Sequence, residues 1–198
     1  MTFGIICAMP EELHALSERL TDRTETVLGG KTYLAGTIEN QAVVLVKSGI
    51  GKVEAGITAE HLITDFKVDV VINSGSAGGI GEGLHVGDVV IATETAYHDV
   101  DVTAFGYEYG QLPAQPARFS ADPTWVERIS EAGKETGLNI KQGLIVTGDQ
   151  FVSSKAMIQQ IKARFNDALS SEMEGAAVGQ VATDHQVPYV VVRAMSDT

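Results

Sequence analysis

The residues able to do chemistry in this chain are mostly carboxylates, and they sit where apolar runs end. Glu11 and Glu12 follow the apolar run at 3–8. As a bare pair they read as acidic residues complementing the positive end of a helix, worth about 0.3–1 kcal/mol. In Ser171-Glu172-Met173-Glu174-Gly175-Ala176-Ala177, Glu174 begins a helix at the carboxyl end of a strand. Open α/β sheets bind ligands there; a dipole partner beside a core methionine, Met173, is the equal alternative. Arg193-Ala194-Met195-Ser196-Asp197 follows the β-branched run at 190–192, and strand alternation puts Arg193, Met195 and Asp197 on one face. Charges of both signs at the end of a buried strand need a reason. Either they form a structural Arg–Asp pair, or Asp197 is a carboxylic acid held protonated in a dry pocket, as acid catalysis at neutral pH requires.

A second kind of motif is Asn73-Ser74-Gly75-Ser76-Ala77-Gly78-Gly79-Ile80-Gly81. It reads as a glycine-rich turn after a strand, whose bare backbone either tightens a sheet edge or lets a ligand approach closely. It is not a P-loop, because no Lys-Ser/Thr pair follows, and it does not open a helix as a dinucleotide fingerprint does. The five histidines show no metal-ligand spacing. His98-Asp99-Val100-Asp101 reads as a solvated loop in preference to a weak chelator. Cys7 lies in an apolar run with no activating partner in sequence and reads as core.

Composition narrows the partners. The 198 residues carry 14 basic and 26 acidic side chains, a formal charge of −12. Nucleic acid and anionic membranes need a positive face, so both are poor partners. A single cysteine excludes an internal disulfide framework and fits a reducing, cytoplasmic compartment. The N-terminal run lacks a basic region and leads straight into Glu11, unlike a signal peptide. No stretch approaches the roughly 20 apolar residues of a membrane helix.

The elements that must position these groups alternate. Strands are expected at 3–8, 24–28, 31–38, 41–47, 68–73, 86–96, 140–148, 168–172 and 189–194. The three from 24 to 47 form a hairpin meander turned by Gly29-Gly30 and Glu39-Asn40. Helices are expected at 10–20, 53–66, 123–137, up to 165 after a Ser153/Ser154 cap, and 174–185. The second should bury Ala55, Ala59, Leu62, Ile63 and Phe66. The last should bury Ala177, Val178, Val181 and Ala182, with Gly175 and Gly179 permitting close packing. Residues 98–118 show no period, and an irregular stretch of that length is usually functional or an interface arm. The whole reads as one domain, 1–198, of α/β class with a mixed central sheet covered by helices. A closing helix is expected beyond Asp197-Thr198, so the chain reads as shortened or incomplete at that end.

Taken together, these pieces resemble one family along the whole chain. Ala8-Met9-Pro10-Glu11-Glu12, Ser48-Gly49-Ile50-Gly51-Lys52-Val53, Asn73-Ser74-Gly75-Ser76-Ala77-Gly78-Gly79, Tyr97-His98-Asp99-Val100-Asp101, Gly148-Asp149-Gln150-Phe151, Glu172-Met173-Glu174-Gly175-Ala176-Ala177 and Arg193-Ala194-Met195-Ser196-Asp197 stand in the order found in bacterial 5′-methylthioadenosine/S-adenosylhomocysteine nucleosidases. That family lies within the nucleoside phosphorylase superfamily. The resemblance implies a three-layer α/β/α sandwich around a central mixed β-sheet, a cytoplasmic homodimer, and no metal or cofactor. It implies hydrolysis of the N-glycosidic bond of 5′-methylthioadenosine and S-adenosylhomocysteine, with 5′-deoxyadenosine a further substrate, in methionine salvage and upstream of autoinducer-2 where that pathway exists. By resemblance, Asp197 is the general acid for purine N7, with Ser196 orienting it. Glu12 orients and deprotonates the water, with Ser76 and Arg193 as neighbours. Glu174 grips the ribose hydroxyls and Met173 packs below the sugar. Phe151 stacks on adenine, and its backbone and that of Val152 read the base edge. Met9 and Ile50, with Val102, Phe105 and Pro113 of the partner subunit, form the 5′-alkylthio pocket. The family continues past Asp197 into a helical segment that caps the purine and adds an aromatic side chain, and this sequence stops short of it.

A purine nucleoside or methylthioadenosine phosphorylase is the nearest alternative. Such an enzyme binds phosphate dianion and wants arginines beside the glycine run. This chain offers Glu11-Glu12 and Asn73 in those regions, which favours a hydrolase. A nucleoside sensor without turnover is the alternative from another class, and three costly buried carboxylates speak against it.

Overall fold

A computed structural model describes residues Met1–Thr198. The chain begins with strand β1 (Thr2–Cys7) and helix α1 (Pro10–Glu18), in which Pro10 supplies the fixed φ of a first turn. The meander follows as β2 (Thr21–Leu28), β3 (Lys31–Ile38) and β4 (Gln41–Lys47). Both of its turns, Gly29-Gly30 and Glu39-Asn40, have positive φ at both residues, as two-residue hairpins require. Helix α2 (Lys52–Thr64) leads to β5 (Val70–Gly79) and β6 (Val89–Tyr97). The long stretch that follows is irregular, apart from a single 3₁₀ turn at Thr103–Phe105 and the short β7 (Phe119–Ser120). Helix α3 (Pro123–Glu135) starts where Asp122 accepts the amide of Trp125 at 3.1 Å. Strand β8 (Ile140–Thr147), helix α4 (Lys155–Arg164) capped by Ser154, strand β9 (Ala168–Glu172), helix α5 (Gly175–Asp184) and strand β10 (Tyr189–Asp197) complete the order.

The sheet is mixed, as expected, and it also rolls up. The order β2-β3-β4-β1-β5 is an open sheet, while β5, β10, β6, β8 and β9 close on one another in a ring. β5 belongs to both parts. Its first residues pair in parallel with β1 up to Ile6↔Asn73, and its last pair antiparallel with β9 from Gly78↔Ser171. β10 runs along its other edge from Val71 to Gly78. Between Asn73 and Gly78 the edge shared by β1 and β9 is therefore open. This corrects the sequence reading of 73–81: the glycine run is strand through Gly79, not a turn after a strand. The glycines are there because side chains from elsewhere occupy the space. A Cβ on Gly75 would lie 3.0 Å from both Arg193 Nη1 and Glu12 Oε1. β10 likewise runs three residues past the expected end and carries Ser196 and Asp197 as strand residues.

The core forms where α2 and α5 pack against the sheet and each other. Ala55, Ala59, Leu62 and Ile63 of α2 are buried as patterned, together with Thr58. In α5 the buried set is Gly175, Ala176, Ala177, Val178, Gly179 and Ala182, while Val181 is half-buried. Gly179 is the most closely packed glycine of these two helices. Tyr189 Oη bridges Phe119 O at 2.7 Å and Thr95 Oγ1 at 3.0 Å, directly beneath the glycine. A Cβ there would sit 2.7 Å from that oxygen and 2.8 Å from Thr95 Oγ1. Gly179→Ala is expected to lower the unfolding free energy by about 1–3 kcal/mol through overpacking, despite alanine's better helix propensity. Urea denaturation measures this, and a variant as stable as the parent would show that α5 can lift off Tyr189 freely.

Candidate active site

The open stretch of β5 forms the back of a cavity of about 170 Å³. Its lining draws on the ends of β1, β5, β9 and β10 and on the segments that follow β4 and β8: Met9 and Glu12, Ile50, Ser76, Phe151 and Val152, Met173 and Glu174, Ser196 and Asp197. Ten of the residues singled out in the sequence thus meet at one place. Four do not reach it. Val102, Phe105 and Pro113 lie in the irregular stretch away from the cavity, and Phe105 is 82% exposed. Arg193 lies behind the cavity wall and is 1% exposed.

Glu12 is held by four donors. Its Oε2 accepts the amides of Ala8 (3.0 Å) and Met9 (3.1 Å), as the third residue of a helix does in a capping box. Its Oε1 accepts both the amide and the hydroxyl of Ser76, each at 3.0 Å. The Ser76 amide is free for this because no strand pairs with that edge of β5. Asp197 accepts the Ser196 hydroxyl at 2.6 Å. It sits at the mouth of the cavity. The reading of Arg193 as its partner is corrected. Arg193 Nη2 donates to Asn73 Oδ1 at 2.6 Å and is paired with Glu172, with Glu174 Oε2 at 3.6 Å.

Glu172 is the residue that sequence reasoning missed. Besides Arg193, it accepts the Thr147 hydroxyl and the amides of Glu174 (3.2 Å) and Gly175 (2.7 Å). Thr147 Oγ1 in turn accepts the Ala176 amide at 2.8 Å. Glu172 and Thr147 thereby cap the first turn of α5 and set the direction in which Glu174 leaves it. A second unforeseen partner is Gly51, whose amide donates to Glu174 Oε1 at 2.9 Å.

Burial raises the Glu174 carboxyl to about 7; the Glu172 charge adds to this, while Arg193 and the Gly51 amide oppose it. Burial alone would weaken the Arg193 cation, but Glu172 and Glu174 outweigh that cost and hold it above its usual value. Burial also pushes the Cys7 thiol up to about 12, in keeping with an inert core residue. The constellation therefore offers a carboxylate anchored against the sheet, a second that titrates near neutrality, and a third at the rim, all facing one space. That set can activate a water, stabilise a nearby positive charge and hand over a proton.

The family model described as the phosphorylase superfamily matches residues 2–198. The 5′-methylthioadenosine/S-adenosylhomocysteine nucleosidase of Actinobacillus succinogenes is 49% identical over 197 residues, covering 100% of this chain and 86% of its own. Among solved structures, the nucleosidase of S. pneumoniae with the transition-state inhibitor MT-ImmA superposes with a TM-score of 0.95 at 51% identity, covering 100% and 86% of the two chains. The nucleosidase of Neisseria meningitidis in complex with methylthio-immucillin-A superposes at 0.97 and 44% identity, covering 99% and 85%.

The raised Glu174 carboxyl has a consequence for stability. Its folded value lies above its unfolded value, so its contribution is fully present below about pH 4.5 and is lost as pH rises through about 7. Glu174→Gln removes the charge and keeps an acceptor for Gly51. The variant is expected to gain on the order of 2 kcal/mol over the parent at pH 8 and nothing at pH 4. Thermal unfolding at the two pH values checks this; a variant less stable at pH 8 would show that Arg193 outweighs burial.

Proposed function

Because the chain belongs to the 5′-methylthioadenosine/S-adenosylhomocysteine nucleosidase family of the phosphorylase superfamily, we propose that its cavity hydrolyses the N-glycosidic bond of 5′-methylthioadenosine and S-adenosylhomocysteine, and of 5′-deoxyadenosine, releasing adenine. The bond breaks through a ribosyl cation, and its electrons pass to the purine. Asp197, steered by Ser196, gives a proton to N7, so that adenine leaves neutral. Water adds to C1′ from the Glu12 side and passes its proton to that carboxylate. Glu174 receives the ribose hydroxyls above Met173 and faces the developing positive charge. Phe151, 77% exposed at the cavity rim, supplies the face on which adenine stacks, with the backbone of Val152 at the base edge. Arg193 acts from behind the wall, holding the carboxylates in register without touching substrate.

One observation carries hydrolysis over phosphorolysis. The amide and hydroxyl of Ser76, the donors that the open strand offers to an anion, are already taken by Glu12. A phosphate dianion would meet a carboxylate there, whereas a water finds a base. Adenine release from 5′-methylthioadenosine is therefore expected without phosphate. Asp197→Asn and Glu12→Gln are each expected to lower kcat by ~10²–10⁴ with the fold intact. Strict phosphate dependence, or a loss under about threefold in either variant, would overturn the assignment.

The same reading makes the protein a cytoplasmic homodimer acting in methionine salvage. No helix is long and apolar enough to cross a membrane. The exposed side chain of Phe105, in a stretch too long for a mere connection, supports an interface at which Val102, Phe105 and Pro113 of one subunit complete the alkylthio pocket beside Met9 and Ile50 of the other. Phe105→Ala is expected to weaken 5′-methylthioadenosine about tenfold and adenine hardly at all, since burying a phenyl ring against the alkylthio group is worth at least 1–2 kcal/mol. Equal losses for the two ligands, or a fully active monomer in sedimentation, would assign the loop another purpose.

A further inference from the structure

The motif at 97–101 has no part in the chemistry above, and the structure corrects its reading as a solvated loop. His98 is buried. Asp99 accepts Lys52 Nζ on both oxygens, at 2.9 and 2.8 Å, and its Oδ2 also accepts the Asp149 amide at 2.8 Å. Asp149 Oδ1 accepts the Lys52 amide at 2.8 Å, and its other oxygen lies 3.9 Å from Lys52 Nζ. The Lys52 ammonium rests 5.2 Å from the centre of the Tyr97 ring, whose hydroxyl donates to Gln180 of α5 at 2.7 Å. Three segments remote in sequence are thus tied together: the start of α2, the end of β6 and the loop after β8.

Two of those segments lead straight into the cavity. Lys52 is the first residue of α2, and no side chain of its own segment caps that helix. The two amides at its start diverge to carboxylates from elsewhere, Gly51 to Glu174 and Lys52 to Asp149. Gly51 can aim both because its φ of +104° is open only to glycine, and a Cβ there would lie 3.1 Å from Asp149 Oδ1. Asp149 stands two residues before Phe151, so the contact that fixes α2 also fixes the start of the Phe151 loop. The Lys52 ammonium meets Asp99 and Asp149 and leaves Glu174 to the Gly51 amide.

We propose that Lys52, Asp99 and Asp149 are positioning residues, which hold the start of α2 so that the Gly51 amide stays on Glu174 while the Phe151 loop stays over the cavity. This rests on the nucleosidase reading for its kinetic consequence and on geometry alone for its structural one. The groups facing Glu174 are Glu172 from β9, Arg193 from β10, Glu12 from α1 and the Gly51 amide from α2. Of these, the Gly51 amide is the one carried by the segment that Lys52 ties down. An amide that donates to a carboxylate favours its charged form, so losing it moves the titration of Glu174 up.

The test compares Lys52→Met, Asp99→Asn and Lys52→Arg with the parent. Asp99→Asn preserves shape and an acceptor for the Asp149 amide, so the fold is kept even if Lys52→Met proves unstable. In both disrupting variants the acid limb of the kcat/KM profile for 5′-methylthioadenosine is expected to move up by about one pH unit, with a loss of about tenfold at neutral pH and weaker adenine binding. Lys52→Arg should restore most of each. A role confined to stability would lower the melting temperature and scale the profile down without moving its limb, and that result overturns the proposal. The Glu174 resonance in ¹³C-glutamate-labelled protein, assigned with Glu174→Gln, should move up by the same amount. That readout needs no turnover. Parent protein that releases no adenine would defeat the nucleosidase reading alone, whereas an unmoved Glu174 titration in both disrupting variants would defeat this one alone.

Discussion

A guanidinium taken out of water costs several kcal/mol unless its partners replace what the solvent supplied. Arg193 is in that position, with Glu172, Glu174 and Asn73 as its partners. The exchange is mutual, because Arg193 offsets part of the push that the Glu172 charge exerts on Glu174. Arg193 sets how much charge the cavity floor carries. Glu172, the nearer partner, is fully ligated and tied to the first turn of α5. Glu174 is buried, and burial raises its carboxyl to about 7 against the opposing pull of Arg193. Burial and one shared cation thus divide two carboxylates only two residues apart into a structural anchor and a group poised for chemistry.

The second constraint is the double life of β5. A strand that joins an open sheet to a closed ring must change partners, and where it changes, backbone groups are left without a ladder. The amide of Ser76 is one such group, and Glu12 takes it. The cavity lies at this switch point for the same reason that ligands lie at the switch points of doubly wound sheets: neighbouring strands diverge there and leave a crevice. The glycines follow from the same geometry. At Gly75, two charged side chains already fill the space a third would need.

Local features were legible in the sequence. The cap at Ser154, the paired turn residues at 29–30 and 39–40, and Ala55, Ala59, Leu62 and Ile63 of the α2 stripe are each specified within a few residues, and each appears where expected, whereas Phe66 falls past the end of that helix and is half-buried. The glycine run was misread because strand and turn differ there only in what pairs alongside, and β10 lies more than a hundred residues away. Glu12, Glu174 and Asp197 stood out through a family pattern, since each taken singly also fits a bland explanation. Glu172 was passed over because only Thr147 and Arg193, 25 and 21 residues distant, distinguish it from any acidic neighbour. The motif at 98–101 was misjudged for a like reason: its counter-ion, Lys52, lies 47 residues away from Asp99.

The unzipped middle of β5 bears on how such a protein can change. Sheets usually open from their edges, where strands are exposed and short. Here an amide in a central strand is closed by a side chain, so an unpaired edge of the sheet lies at its centre, beside the cavity. Substitutions that let β1 zip further along β5 would strengthen the sheet, and each rung gained would close the crevice by one residue. Selection for rigidity and selection for an accessible cavity therefore pull on the same four residues, 74–77, in opposite directions. Hardening of this fold over evolutionary time has to come from its periphery, through helices and hairpins.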